Sequence, residues 1–150
     1  MARYRAHIDV DADPATVFAF LEDFTNAADW DPGVASAERL DDGPIGLGSR
    51  FGLDLLVAGR TQRWVYKVEE HDAPATVTFV TRTSAATGID AVTVEPTLGG
   101  SRVTWDATFG FNGLLGRVID PAFHFVFQRI ASKAVDGLRT ALAGLAVSKG

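Results

Sequence analysis

Apolar and polar residues alternate at the start of the chain. Tyr4, Ala6, Ile8, Val10 and Ala12 share one parity, and Arg5, His7, Asp9 and Asp11 share the other. A period of two predicts a strand with one buried and one wet face, which puts His7 in solvent. The pattern then changes. Asp13-Pro14 supplies an N-cap followed by proline at the first helical position, where its missing N–H is no loss. Val17, Phe18 and Leu21 give the short helix that follows its apolar face. A second small helix is predicted around Asn26 to Trp30, ending at Pro32. From there to Phe111 six strands are predicted, over about 34–40, 48–57, 60–70, 75–83, 89–96 and 101–111. They are separated by Asp41-Asp42-Gly43-Pro44, Ala58-Gly59, Asp72-Ala73-Pro74, Ala85-Ala86-Thr87-Gly88 and Leu98-Gly99-Gly100. Loops this short demand hairpins, hence an antiparallel meander.

The last third has a different period. Ile119, Phe123, Phe127, Ile130, Ala134, Leu138, Leu142 and Leu145 recur at intervals of three and four, one stripe along a helix. From Pro121 to Val147 such a helix is roughly 40 Å long at 1.5 Å per residue. Pro121 interrupts backbone hydrogen bonding, so a kink or a fresh start is predicted there, with Gly113 to Ile119 a lead-in that could serve as a mobile gate. Phe125 falls off the stripe and must face a sheet edge, the small helices or a second subunit. The order of elements predicts an α+β domain spanning 1–150, a curved seven-stranded antiparallel sheet around a long C-terminal helix. Two small helices sit between its first and second strands.

Turn positions and parity together set which side chains are neighbours. The Ala58-Gly59 loop pairs Leu53 with Trp64 and Phe51 with Tyr66. A turn at Ala73-Pro74 pairs Val68 with Phe79 and Tyr66 with Thr81. One centred on Ala85-Ala86 pairs Phe79 with Val92 and Thr81 with Asp90. The Leu98-Gly99 turn pairs Val92 with Trp105 and Asp90 with Ala107. A dry row of Val68, Phe79, Val92 and Trp105 results, beside a row of Phe51, Tyr66, Thr81, Asp90 and Ala107. Trp64 and Phe109 flank the second row; Ile119, Phe123 and Phe127 form the opposite wall, and Trp30 is its lid or rim. These residues are the candidate ligand-binding set. A carboxylate on such a wall needs a donor, and Tyr66 or Thr81 could supply it; at a hairpin end Asp90 could instead reach water.

Composition removes several function classes. The chain has no cysteine, which excludes disulfides and thiolate chemistry. Its formal charge of −5, with scattered basic residues, argues against a nucleic-acid surface. No apolar run reaches the ~18 residues of a membrane span, and no signal-peptide core begins the chain, so a cytoplasmic protein is expected. Neither a metal-ligand spacing nor a nucleophile motif of the Gly-x-Ser-x-Gly kind is present, and no cofactor is expected. Gly46-Leu47-Gly48-Ser49-Arg50 leads into a strand rather than a helix N-terminus, which makes it a turn and not a phosphate cradle.

Several stretches together resemble one family. They are DADPATVFAFLEDF after the first strand, Trp30-Asp31-Pro32-Gly33-Val34, and Gly46-Leu47-Gly48-Ser49-Arg50-Phe51. Thr93-Val94-Glu95-Pro96, Gly99-Gly100-Ser101-Arg102-Val103-Thr104-Trp105 and the terminal helix complete the series. In this order they are similar to the START-like (SRPBCC) superfamily, in its polyketide cyclase/dehydrase and lipid-transport branch. The resemblance implies a helix-grip fold with an internal cavity; it does not imply one reaction. The first expectation is a binder or carrier of a hydrophobic small molecule, such as a lipid, quinone or polyketide, with a homodimer possible. The second is a cofactor-free cyclase/aromatase in which Asp90 or Tyr66 moves a proton. An interaction module using the sheet edge or terminal helix is a third class, which a protein without a cavity would favour.

Overall fold

Each alternating stretch is a strand, and the computed structural model of the protein describes them within residues 1–57 and 59–149. For 115, 119–121 and 147–149 only the backbone is described. The strands are β1 (Ala2–Val10), β2 (Val34–Arg39), β3 (Arg50–Val57), β4 (Arg60–Asp72), β5 (Thr76–Arg82), β6 (Ala86–Pro96) and β7 (Ser101–Phe111). They pair antiparallel in the order β1-β7-β6-β5-β4-β3-β2, so the meander is closed at one edge by the first strand. Between β1 and β2 lie α1 (Pro14–Glu22), a 3₁₀ turn (Phe24–Asn26) and α2 (Ala27–Trp30). These pieces carry the chain from one edge strand to the other. A single long helix, α3 (Gly113–Lys149), follows β7. This is the α+β architecture expected, a curled sheet with a long C-terminal helix.

The outer face of the sheet is held by cross-strand ion pairs: Arg3 with Asp106, Arg102 with Asp9, Arg63 with Asp54 and Glu38, and Arg82 with Glu69. Exposed pairs of this kind add little stability each. The inner face carries the core, where Ile8, Phe51, Leu53, Val68, Val77, Phe79, Val92 and Val103 are fully buried.

Three of the four expected turns have the expected register, with Leu53 opposite Trp64, Val68 opposite Phe79 and Val92 opposite Trp105. Ala58, in the first of those loops, lies outside the described residues. The β5–β6 hairpin is corrected by two residues: Phe79 faces Asp90, Thr81 faces Gly88, and Val77, not Phe79, faces Val92. Thr83 causes the shift. Its Oγ1 accepts the backbone N–H groups of Ala85 (3.2 Å) and Ala86 (3.0 Å), closing the turn early. The Asn112 side chain donates to the Thr83 carbonyl at 3.1 Å and clamps it from β7. Gly88 therefore lies within β6 instead of in the turn, where its missing side chain makes room for Thr81 and Phe109. A slip of two keeps the parity, so the inner face is unchanged while its rows are rearranged.

α3 runs unbroken through position 121, so it does not start afresh there. Its later turns are the buried ones, through Ala131, Val135, Leu138 and Leu142. Leu114, Val118, Phe125 and Val126 in its earlier turns are exposed, Phe125 by 77%. Gly137 lets the helix approach α2: a Cβ there would lie 1.8 Å from the Trp30 carbonyl oxygen. That contact seats the Trp30-Asp31 corner against the helix.

Candidate functional site

Sheet, small helices and α3 enclose a cavity of about 620 Å³. It has two ends of different character. At the more exposed end Phe109 of β7 meets Trp64 (centroids 5.5 Å), Phe123 (5.4 Å) and Phe127 (6.3 Å), an apolar seam between the sheet and the early turns of α3. At the buried end Trp30 and Trp105 meet edge to face at 5.2 Å. Phe24 lies between Tyr66 (5.1 Å) and Trp105 (6.4 Å).

The polar groups of the buried end come from three elements. Asp90 of β6 points inward beside Trp105, whose Nε1–H donates to Asp90 Oδ1 at 3.0 Å. Asp31, at the end of α2, is held by the backbone N–H of Gly33, which donates to its Oδ1 at 2.8 Å. Tyr66 of β4 is 7% exposed, and its hydroxyl has no hydrogen-bond partner among the described residues. Burial pushes the Asp90 carboxyl up to about 6, against the Trp105 hydrogen bond and with the Asp31 charge adding to the rise. Burial also raises Asp31, opposed by the Gly33 hydrogen bond. It lifts the Tyr66 phenol well above its ordinary value, and both carboxylates add to that. The outer carboxylates behave oppositely. Hydrogen bonds from Arg63 and Ser36 hold Asp54 down at about 2, and Arg3 lowers Asp106.

Of the candidate set, Trp30, Leu53, Trp64, Tyr66, Asp90, Trp105, Phe109, Phe123 and Phe127 line the cavity. Phe51, Phe79, Thr81 and Val92 do not; they are core residues behind the wall. Phe24 is the reason for two of them. It stacks on Phe79 with centroids 4.1 Å apart and meets Phe51 edge-on at 6.3 Å, so it stands between those rings and the space. Thr81 is buried beside Gly88, with its Oγ1 unpartnered among the described residues. The side chain of Ile119 lies outside the described residues. Asp31 and Phe24 are wall residues that periodicity does not reveal, because Phe24 opens a three-residue 3₁₀ turn and Asp31 caps the end of α2, both too short to carry a pattern. The Asp31-Pro32-Gly33 turn was a detectable signal, since a short acidic side chain followed two residues later by glycine commonly bonds back to the backbone.

His71 is half-buried: Nε2 lies 2.8 Å from Glu22 Oε2 and its ring meets Phe18 edge-on. Neither His71 nor His7 reaches the cavity. Among the described residues no group of three or more His, Cys, Asp or Glu is placed to hold a metal ion. None of the described helices is long and apolar enough to cross a membrane.

A curled antiparallel sheet closed by a C-terminal helix over an apolar cavity defines the START-like class, and comparisons agree. A START superfamily protein from Mycobacterium smegmatis superimposes over 100% of both chains with a TM-score of 0.73 at 14% identity. The Zhui aromatase/cyclase from Streptomyces sp. R1128 does so over 96% of this chain and 92% of its own, with a TM-score of 0.73 at 15% identity. StfQ, the di-domain aromatase/cyclase from the steffimycin biosynthetic pathway, matches over 99% of this chain and 51% of its own, with a TM-score of 0.74 at 12% identity. At these identities the likeness is one of fold. Comparison with curated protein sequences gives no match. The polyketide cyclase/dehydrase and lipid transport family model matches residues 1–143, and the chain belongs to that family.

Proposed function

We propose that the protein binds and carries a hydrophobic small molecule of lipid, quinone or polyketide size in the cavity between sheet and helix. The observation that carries this is the cavity itself. At about 620 Å³ it falls within the range of small-molecule sites and is walled mostly by aromatic and aliphatic side chains, with a few convergent polar groups. Dry apolar walls supply affinity through burial, and the polar groups at one end orient what is bound. Candidate contacts are Trp30, Leu53, Trp64, Tyr66, Asp90, Trp105, Phe109, Phe123 and Phe127. Native mass spectrometry of protein purified without organic solvent tests the reading. A stoichiometric co-purifying mass, released on denaturation, is expected. Protein that is always bare, and that takes up no member of a lipid, quinone and polyketide panel, sinks it.

The second reading is a cofactor-free cyclase. A carboxyl near 6 beside a phenol that keeps its proton is a suitable pair for moving protons on a keto chain folded by the cavity. The test is incubation with a thioester of a poly-β-keto acid. Regiospecific product above the spontaneous pattern, lost in Asp90→Asn, supports it; the spontaneous pattern alone rejects it.

A further inference from the structure

The buried end of the cavity lacks something that the outer face of the sheet supplies. Asp9, Asp54, Glu69 and Asp106 each have an arginine partner. Asp31 and Asp90 have none among the described residues, although both line the same cavity. Each carboxylate has one oxygen committed, to Gly33 N–H and to Trp105 Nε1–H, and the other free among the described residues. Tyr66, 7% exposed and with no hydrogen bond to its hydroxyl among the described residues, lines the same space. Around these three groups stand Trp30, Trp105 and Phe24. Two inward carboxylates, an idle phenol oxygen and an aromatic surround form the environment that recognises an organic cation, through charge-assisted hydrogen bonds and ring faces.

We propose that the ligand is an apolar molecule bearing a protonated amine, whose ammonium lies between Asp31, Asp90 and Tyr66 while its apolar body runs toward Phe109 and α3. This rests on the cavity reading and adds to it the charge of the ligand. The arginine that also lines the cavity, Arg63, does not compete: Asp54 and Glu38 engage it at 2.8 and 2.6 Å. The helix residues that line the space, Phe123, Phe127, Ile130, Ala131, Ala134, Val135 and Leu138, carry no charge. An ammonium would relieve the repulsion between the carboxylates and restore the interaction they lose on burial.

The proposal sets the direction of a pH effect. The titratable groups that line the cavity with Asp90 are Asp31 just past α2, Tyr66 and Arg63 of β4 and Tyr4 of β1, and Trp105 of β7 donates to it. An ammonium favours ionised Asp90, so its affinity should rise as pH increases through about 6. A neutral acceptor such as a ketone would show the reverse.

The experiment titrates three probes of one shape by calorimetry: 2-(1-naphthyl)ethylamine, 2-(1-naphthyl)ethanol and 3-(1-naphthyl)propanoate. At pH 7.5 the amine is expected to bind at least tenfold tighter than the alcohol, and the propanoate weakest. The preference should shrink below pH 6 and fall at least tenfold in Asp90→Asn. In that variant Trp105 keeps an acceptor, and the wild-type pH series needs no variant. Equal binding of amine and alcohol, or a preference for the propanoate, overturns the cationic ligand and leaves the cavity reading standing. No binding by any of the three overturns the cationic ligand, and the same result with the lipid, quinone and polyketide panel overturns the cavity reading as well.

Discussion

At the scale of single residues, the inner and outer carboxylates differ in what surrounds them, not in what they are. On the outer face arginines stabilise the ionised form; inside, burial penalises it. Asp90 therefore holds its proton more tightly folded than unfolded. Its contribution to stability is full below the unfolded pKa near 4 and is lost as pH rises through about 6. A shift of about two units corresponds to roughly 3 kcal/mol. Asp90→Asn should remove that loss. Between about pH 4 and pH 7, the variant's unfolding free energy relative to the native protein should swing in its favour by about 2–3 kcal/mol. Urea unfolding at both pH values measures it, and parallel curves would show that Asp90 is not desolvated. Parity alone placed Asp90 on the inner face. The β6–β7 register was legible too, but it puts Ala107 opposite Asp90; that Trp105, opposite Val92, reaches Asp90 diagonally is decided by side-chain conformation.

At the scale of elements, the site depends on how closely irregular pieces approach α3. Gly137 sits where a Cβ would collide with the Trp30 backbone. In an isolated helix Gly→Ala would gain up to about 1 kcal/mol. Here the collision must push α2 away from α3, carrying Trp30 and Asp31 with it, and overpacking of this sort costs about 1–3 kcal/mol. Gly137→Ala is thus expected to lower the melting temperature and perturb the Trp30 environment in fluorescence; a stabilised variant would mean that the contact yields easily. The β5–β6 turn shows the limit of reading elements from composition. Ala85-Ala86-Thr87-Gly88 looks like the turn because glycine usually marks one, yet Thr83 closes the chain two backbone positions earlier. Gly88 is needed in the strand for clearance.

At the scale of the whole molecule, the sheet and α3 make a container whose filling is linked to folding. A ligand that binds only the folded state at one hundred times its dissociation constant adds about 2.7 kcal/mol. For a domain of this size that is a rise of roughly 5–10 °C in melting temperature. Calorimetry with naphthylethylamine at such an excess should show it, and an unmoved transition would mean that the folded cavity is not where the probe binds.

The order of elements, the antiparallel meander, the inner parity and the long helix were all determined by the sequence, because periodicity and turn chemistry act over a few residues. Nine of the fourteen candidate residues lie on the cavity wall for that reason. The remainder was decided by tertiary structure. Phe24 covers Phe51 and Phe79 only because the 3₁₀ turn folds back over the sheet. Asp31 joins Asp90 and Tyr66 only because Gly137 admits α2 against the helix. These are contacts between segments far apart in the chain, and no local pattern encodes which of two inner-facing rings will see the cavity.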